Sequence, residues 1–488
     1  MINTPEIKIG IVGVSRDCFP AELTKKRLGL LAAAVKGKVA TAYASPVLVE
    51  NEIDMLAAAK DVAEKNCNAL VIYLGNFGPE NPIAQLAEKF NGPVMLCSAA
   101  EETKASIAAD RGDALCGLMN ASMACDLRGV KVYIPQNPCA LPEQLAQCIA
   151  DFENIARVIV GVKNLKVIGF GPRPQDFLAC NAPIKPLFDL GVEVMENSEL
   201  DLFQAYEDAA AFKDEIAAVV KDMEKELGDK ASYPDLLPKM AQLEVALLHF
   251  MAANKGKSEY VVFADKCWPA FERQFGFVPC YVNSRLAGRG IPVACEVDLY
   301  GALSEYMVQL ATMEPATLLD INNSVPAEMT GKYDGKDLHM GFHCGNTCSA
   351  CMNDCKLNYQ VIMNRLMEDG GKPDITRGTL EGMIKPGATT LFRLQSSGDA
   401  TLKSYIAEGE FTDINPSTFG STGVVAIKGF SRFYRHVLVG KQFPHHGAYG
   451  RAKAGKILFE AVKYLGIGAI YTPLAEGQLY DGENPFEA

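Results

Sequence analysis

No stretch of this 488-residue sequence approaches the roughly 20 apolar residues that span a bilayer, so no membrane-crossing helix is expected. The opening, "MINTPEIKIGIVGVS", runs straight into a strand-like segment without the basic and apolar regions of a secretory leader. The cytoplasm is therefore the expected location. Positive charge is not in excess: the net charge is −12 and the pI near 5.2. That balance argues against a general affinity for nucleic acid or anionic membrane. Phosphate loops are missing as well. "GIVGVS" and "GFGPRP" follow strand-like runs, but neither completes G-x-G-x-x-G, and no P-loop lysine motif exists. Histidine is scarce, with six residues, five of them after position 338. What remains is the composition of an ordinary globular enzyme of two to four domains, with no low-complexity tract.

Cysteine, by contrast, is plentiful, at fifteen residues. Most stand singly in apolar runs (Cys97, Cys116, Cys125, Cys295), where in a reducing compartment they behave as small buried hydrophobes. One cluster stands out. "HCGNTCSACMNDC" sets Cys344, Cys348, Cys351 and Cys355 at C-x3-C-x2-C-x3-C, and the first three match the spacing of the radical-SAM iron–sulfur motif. That motif usually lies early in a barrel domain with an aromatic residue before its third cysteine, where this chain has Ala350. An iron–sulfur or zinc protein built on these four thiols is the alternative reading of the chain.

Along the chain, buried-strand runs such as "KIGIVGVS", "ALVIYLG" and "PVMLCSA" alternate with helical patterns, which implies βαβ units and a doubly wound sheet. The pattern restarts near residue 165 with "LKVIGFG", "GVEVMEN" and "SEYVVFAD", and "IPVACEV" closes this second unit. Helical stretches are expected over roughly 205–228 and 236–254. The last third changes to short strand-like runs ("LHMGFH", "ATTLFRLQ", "TLKSYIAEGEF", "GVVAIKGF") separated by turn residues, which suggests a small antiparallel sheet or barrel. The expected division is an α/β domain at 1–163, a second at 164–312, and a β-rich, barrel-like domain at 313–488.

Three pieces carry chemistry. "IPVACEVDLYGAL" starts as a buried strand and ends as a helix start, with Glu296 and Asp298 where the apolar run leaves the core. "TLLDINN" repeats the pattern with Asp320, and "FPHHGAYG" offers His445 and His446 in a turn at a strand end. Carboxylates with imidazole suit Mn2+, Mg2+, Co2+ or Zn2+ with open positions.

Together these pieces resemble the L-fucose isomerase and L-arabinose isomerase superfamily, in domain order and in motifs confined to about residues 291–450. "ACEVDLYGALS" followed by "LLDINN" is similar to the family's two metal-binding carboxylates, and "PHHG" stands where a late histidine ligand belongs. The resemblance implies a divalent-metal-dependent aldose–ketose isomerase, most simply with Mn2+, in which Glu296 and Asp320 ligate the metal and transfer protons. It implies His446 as the third ligand in preference to His445. His343, in "LHMGFHCGN", is the nearest candidate for the further histidine of the arabinose-isomerase branch. It also implies a homo-oligomer, trimer or hexamer, with active sites between subunits, where Arg16 in "GVSRDCFP" is a candidate to reach a neighbour's substrate. A non-catalytic sugar-binding protein built from α/β lobes is the remaining rival.

One asymmetry bears on the substrate. "KGFSRFYRHVLVGKQFPHHGAYGRAKAGK" holds seven Lys and Arg residues and no acid, Arg432 and Arg435 among them. Such a run is expected either to face water or to supply cations for an anionic sugar substituent, a phosphate or sulfonate.

Overall fold

The run "IGIVGV" forms strand β1 (Ile9–Val14), every residue of which is buried. That near-continuous apolar pattern belongs to a parallel strand covered on both faces. With β2 (Tyr43–Ala44), β3 (Ala69–Leu74), β4 (Val94–Ala99) and β5 (Cys139–Ala140) it makes a parallel sheet in the order β2-β1-β3-β4-β5. The computed structural model describes residues 1–486. They divide into two compact units, and this sheet belongs to the one formed by Pro5–Val160 with Glu460–Gly466.

The other unit comprises Met1–Thr4, Gly161–Phe459 and the residues from Ile467 onward. Its first sheet is parallel too: β6 (Leu165–Phe170), β7 (Glu193–Asn197), β8 (Tyr260–Ala264) and β9 (Val293–Ala294), ordered β7-β6-β8-β9. The helical stretch expected at 205–228 is two helices, Glu199–Ala209 and Lys213–Leu227, followed by Leu237–Asn254. The first begins earlier than expected because Ser198 and Asp201 form a reciprocal capping box.

The remaining strands are β10 (Thr317–Asn323), β11 (Leu338–His343), β12 (Met352–Tyr359), β13 (Arg377–Ile384), β14 (Gly387–Ser396), β15 (Leu402–Phe411), β16 (Ser421–Ala426), β17 (His446–Gly450) and β18 (Ala469–Tyr471). They form one sheet in the order β12-β13-β16-β11-β10-β17-β14-β15-β18, and an added β15–β16 pairing closes the six strands from β16 to β15 into an antiparallel ring, with β12, β13 and β18 outside it. Closure removes exposed strand edges. The side chains of Leu319, Leu391, Tyr405, Phe411 and Tyr449 belong to the buried core of this unit. The fold is thus two parallel α/β sheets followed by a β-rich, barrel-like sheet, as expected from the sequence.

Candidate metal centre

The end of β9 is where the first carboxylate emerges. Cys295–Val297 form a single 3-10 turn in which Glu296 adopts φ 54°, ψ 25° and Val297 φ 56°. Two consecutive non-glycine residues in the left-handed region carry strain of order 1–3 kcal/mol each. The turn aims Glu296 away from the sheet, and the Val297 amide donates to the Asp265 carbonyl at 2.7 Å. Asp298 then caps helix Leu299–Thr312, its side chain accepting from the Gly301 amide at 2.8 Å.

Asp320 and His446 come from neighbouring antiparallel strands, β10 and β17, and stand directly opposite in register. The pairing sets them side by side. His446 Nδ1 lies 2.8 Å from Asp298 Oδ2. Asp298 is itself gripped bidentately by Arg393, at 2.5 and 2.9 Å, and Arg393 is fully buried. Burial alone favours the protonated acid, but the Arg393 charge and His446 overcome it and hold Asp298 below the usual carboxylate range. A carboxylate in that position accepts the hydrogen bond from Nδ1–H and turns Nε2 of His446 towards the other two carboxylates. Nε2 lies 3.3 Å from Glu296 Oε2 and 3.4 Å from Asp320 Oδ1.

His343 is arranged in the opposite sense. Its Nδ1 accepts the Cys344 amide at 2.9 Å, so in the neutral ring Nε2 carries the proton. That nitrogen faces Glu296 Oε2 at 3.8 Å. In that tautomer His343 presents a hydrogen-bond donor to Glu296. His445 stands just outside, its side chain 37% exposed, with Nε2 3.6 Å from Asp320 Oδ1 and its ring edge-on to Phe177.

Glu296 Oε2 is buried without a hydrogen-bond partner. An orphaned carboxylate oxygen beside an imidazole nitrogen and a second carboxylate fits a hard or borderline divalent cation. Glu296 and Asp320, both near His446 Nε2, could hold one with that histidine; the donor atoms of Asp320, His343 and His446, and those of Cys295, Glu296 and His343, also lie within 4.8 Å of one another. Cys180, Asp298 and His446 also converge, but Asp298 is already neutralised by Arg393 and has no charge to spare for an ion.

The expected residues thus divide. Glu296, Asp320, His343, His445 and His446 come together. Arg16 lies in the other unit, where it pairs with Glu80 at 3.5 Å and covers the Phe77 ring. Arg432 forks onto Glu483 at 2.8 and 2.6 Å, and Arg435 sits exposed on the helical turn Tyr434–Val439. The four thiols of the cysteine segment do not gather. Cys344 accepts from Gln360 at 3.1 Å, Cys355 lies on β12, and no three of the four meet at metal-holding distance among the described residues. The segment is a 3-10 turn and a strand rather than a helix, so its spacing does not place all four on one face.

Sequence reasoning missed three contributors. Arg393 reads as one more residue of an alternating strand; only its inward register in "ATTLFRLQ" signals a buried charge needing a counterion. Asp298 is the orienting partner of His446, not a ligand. The loop after β6 covers the histidines, with Phe177 5.5 and 6.2 Å from the rings of His445 and His446 and Cys180 Sγ 3.8 Å from His446 Nδ1.

Residues 10–163 match the fucose/sulfoquinovose isomerase N-terminal domain, and residues 341–472 match the L-fucose isomerase C-terminal domain. The two matches cover more than half the chain; His343 and His446 fall inside the second, and Glu296 and Asp320 lie between them. A sulfoquinovose isomerase of Clostridium sp. (strain MSTE9) is 27% identical over 295 residues, 58% of this chain and 59% of that protein. Sulfoquinovose isomerases of Alkalicoccus urumqiensis and Priestia aryabhattai are 23% and 24% identical, over 61% of this chain and 63% and 65% of theirs. The chain therefore spans less than two thirds of the length of the curated relatives it matches. On the strength of both domain matches, the chain belongs to the family of fucose and sulfoquinovose isomerases.

Proposed function

We propose that the protein is a divalent-metal-dependent aldose–ketose isomerase acting on a sulfonated hexose of the sulfoquinovose type. One observation carries the reading: Asp298 anchors His446 through Nδ1, so that Nε2 meets Glu296 and Asp320 in a three-donor cluster. Held by these residues, a divalent ion such as Mn2+ supplies Lewis acidity to the sugar carbonyl. The chain's own groups do the rest. Isomerisation moves one proton between C1 and C2 and another between O1 and O2. Two carboxylates of differing exposure suit the two tasks. Glu296, the more enclosed at 12% side-chain exposure, takes the carbon-bound proton, and Asp320, at 21%, handles the hydroxyl proton. His343 donates from Nε2 towards the negative charge that develops on the sugar oxygens. Phe177 and Cys180 exclude water from the back of His446.

The sulfonate needs a cation without a competing anion. Arg432 is committed to Glu483, and Lys266 to Glu199 at 3.1 Å. Arg173 is not committed. It lies on the same loop as Phe177, its Nε is buried and unpartnered, and its guanidinium has no hydrogen bond or ion pair among the described residues. We assign it to the sulfonate. The family reading further implies a homo-oligomer in which Arg16 of one chain faces a neighbour's substrate.

The test is isomerisation of sulfoquinovose followed by NMR. Chelation should abolish turnover and Mn2+ restore it, and Glu296→Gln should leave no measurable rate. Arg173→Met should raise KM for the sulfonated sugar by roughly tenfold or more while sparing its neutral counterpart. Full turnover after exhaustive chelation would rule the mechanism out.

A further inference from the structure

The cysteine-rich segment is only partly absorbed by the site. Cys348 and Cys351 bracket a single 3-10 turn, closed by the Cys351 amide donating to the Cys348 carbonyl at 2.9 Å. The two thiols, and the Arg451 guanidinium beside Cys351, lie near enough to shift one another's acidity. Cys348 borders a surface cavity of about 390 Å3 that is also lined by Arg285, Gly288 and Arg289. A Cβ at residue 288 would come within 2.9 Å of Cys348 Sγ, so the glycine there leaves the room that this sulfur occupies at the cavity wall.

We propose that Cys348 and Cys351 form a redox-active dithiol, a modification site that exchanges with low-molecular-weight disulfides. Both thiols are buried, at 6% and 3% exposure, but three features set them apart from a structural cysteine: a vicinal partner at C-x-x-C spacing, a neighbouring cation, and a cavity at the Cys348 sulfur. The neighbouring Cys348 thiol, and then Arg451, bring the Cys351 thiol down to about 7, while Cys351 pushes Cys348 up. The pair thus holds one proton between two sulfurs.

The chemistry balances without further reactants. The sulfur at the cavity, Cys348, passes its proton to the neighbouring Cys351 thiolate and attacks a small disulfide RSSR, forming a protein–S–S–R bond and expelling one RS−. Cys351 then loses that proton to solvent, and its thiolate attacks the Cys348 sulfur, closing the intramolecular disulfide and expelling the second RS−. Two electrons pass from the dithiol to RSSR, and the two thiol protons go to the released thiolates or to solvent. In a reducing compartment such a pair cycles rather than staying oxidised. The segment also touches the strand that carries Asp320. Thr347, next to Cys348, hydrogen-bonds through its hydroxyl to Thr317 at 2.7 Å, at the start of the strand that carries Asp320.

The full-length reduced protein would be incubated across a series of oxidised and reduced glutathione ratios, quenched by alkylation and mapped by peptide mass spectrometry. The expected product is a peptide with an internal Cys348–Cys351 disulfide that appears cooperatively with the redox ratio. In Cys351→Ser, Cys348 should instead retain glutathione as a stable mixed disulfide, and Cys355→Ser should behave as the parent protein. If both thiols remain alkylatable at every ratio, or if Cys348 links to a different cysteine, the proposal is overturned. Because the parent protein alone decides this, a variant that fails to fold does not blunt the test, and the result is independent of whether the isomerase reading holds.

Discussion

In the proposed metal centre, Asp298 acts from behind a ligand rather than as one. It fixes the tautomer of His446 and neutralises a fully buried Arg393 at once. Asp298→Asn should weaken binding of Mn2+ or Co2+ by about 10–100-fold, measured calorimetrically, because the imidazole loses the partner that orients it. The same change leaves Arg393 buried without a counterion, which costs roughly 3–5 kcal/mol in a denaturant melt. The two effects separate in the double variant Asp298→Asn with Arg393→Met, where stability should recover and metal affinity should not. Metal affinity unchanged in Asp298→Asn would mean that packing alone holds His446.

At the scale of elements, the parallel strands were legible because a strand buried on both faces writes itself as an unbroken apolar run, as in "ALVIYL" of β3. Glu296 and Asp320 were legible for the converse reason: a carboxylate ending such a run needs an explanation, and the adjacent histidines of "PHHG" supplied it. Partner choice was not legible. Which strand β16 would join depends on contacts between residues far apart in sequence, and it pairs with β11, β13 and β15 alike. Gly409 reveals how the barrel closes. A Cβ there would lie 2.1 Å from the Ala426 carbonyl oxygen, beside the β15–β16 pairing of Glu410 with Ala426. Backbone cannot yield as a side chain can, so Gly409→Ala should cost about 1–3 kcal/mol or more in equilibrium unfolding. Gly398→Ala, in the open hairpin between β14 and β15, meets nothing within 4 Å and should change little. Equal losses in both would mean that the β15–β16 contact does not depend on close approach.

For the molecule as a whole, acidity acts through groups that folding buries. Glu272, with no exposed surface on the short helix Phe271–Phe275, is pushed from the ordinary 4.5 up to about 8 by burial. Between those values the folded chain holds a proton that the unfolded chain has released, so this group's contribution to stability falls as pH rises from about 4.5 to about 8. The slope is at most about 1.4 kcal/mol per pH unit. Glu272→Gln should flatten that part of the profile of melting midpoint against pH, and an unaltered slope would assign it to other groups. The left-handed turn at Glu296 and Val297 works against stability in a different way. Val297→Gly would relieve the backbone at the cost of a looser carboxylate, so selection for heat resistance and selection for turnover pull this residue in opposite directions. A lineage carrying this chain into hotter surroundings should accumulate its stabilising changes elsewhere, because the easiest one lies beside the carboxylate that the proposed centre can least afford to loosen.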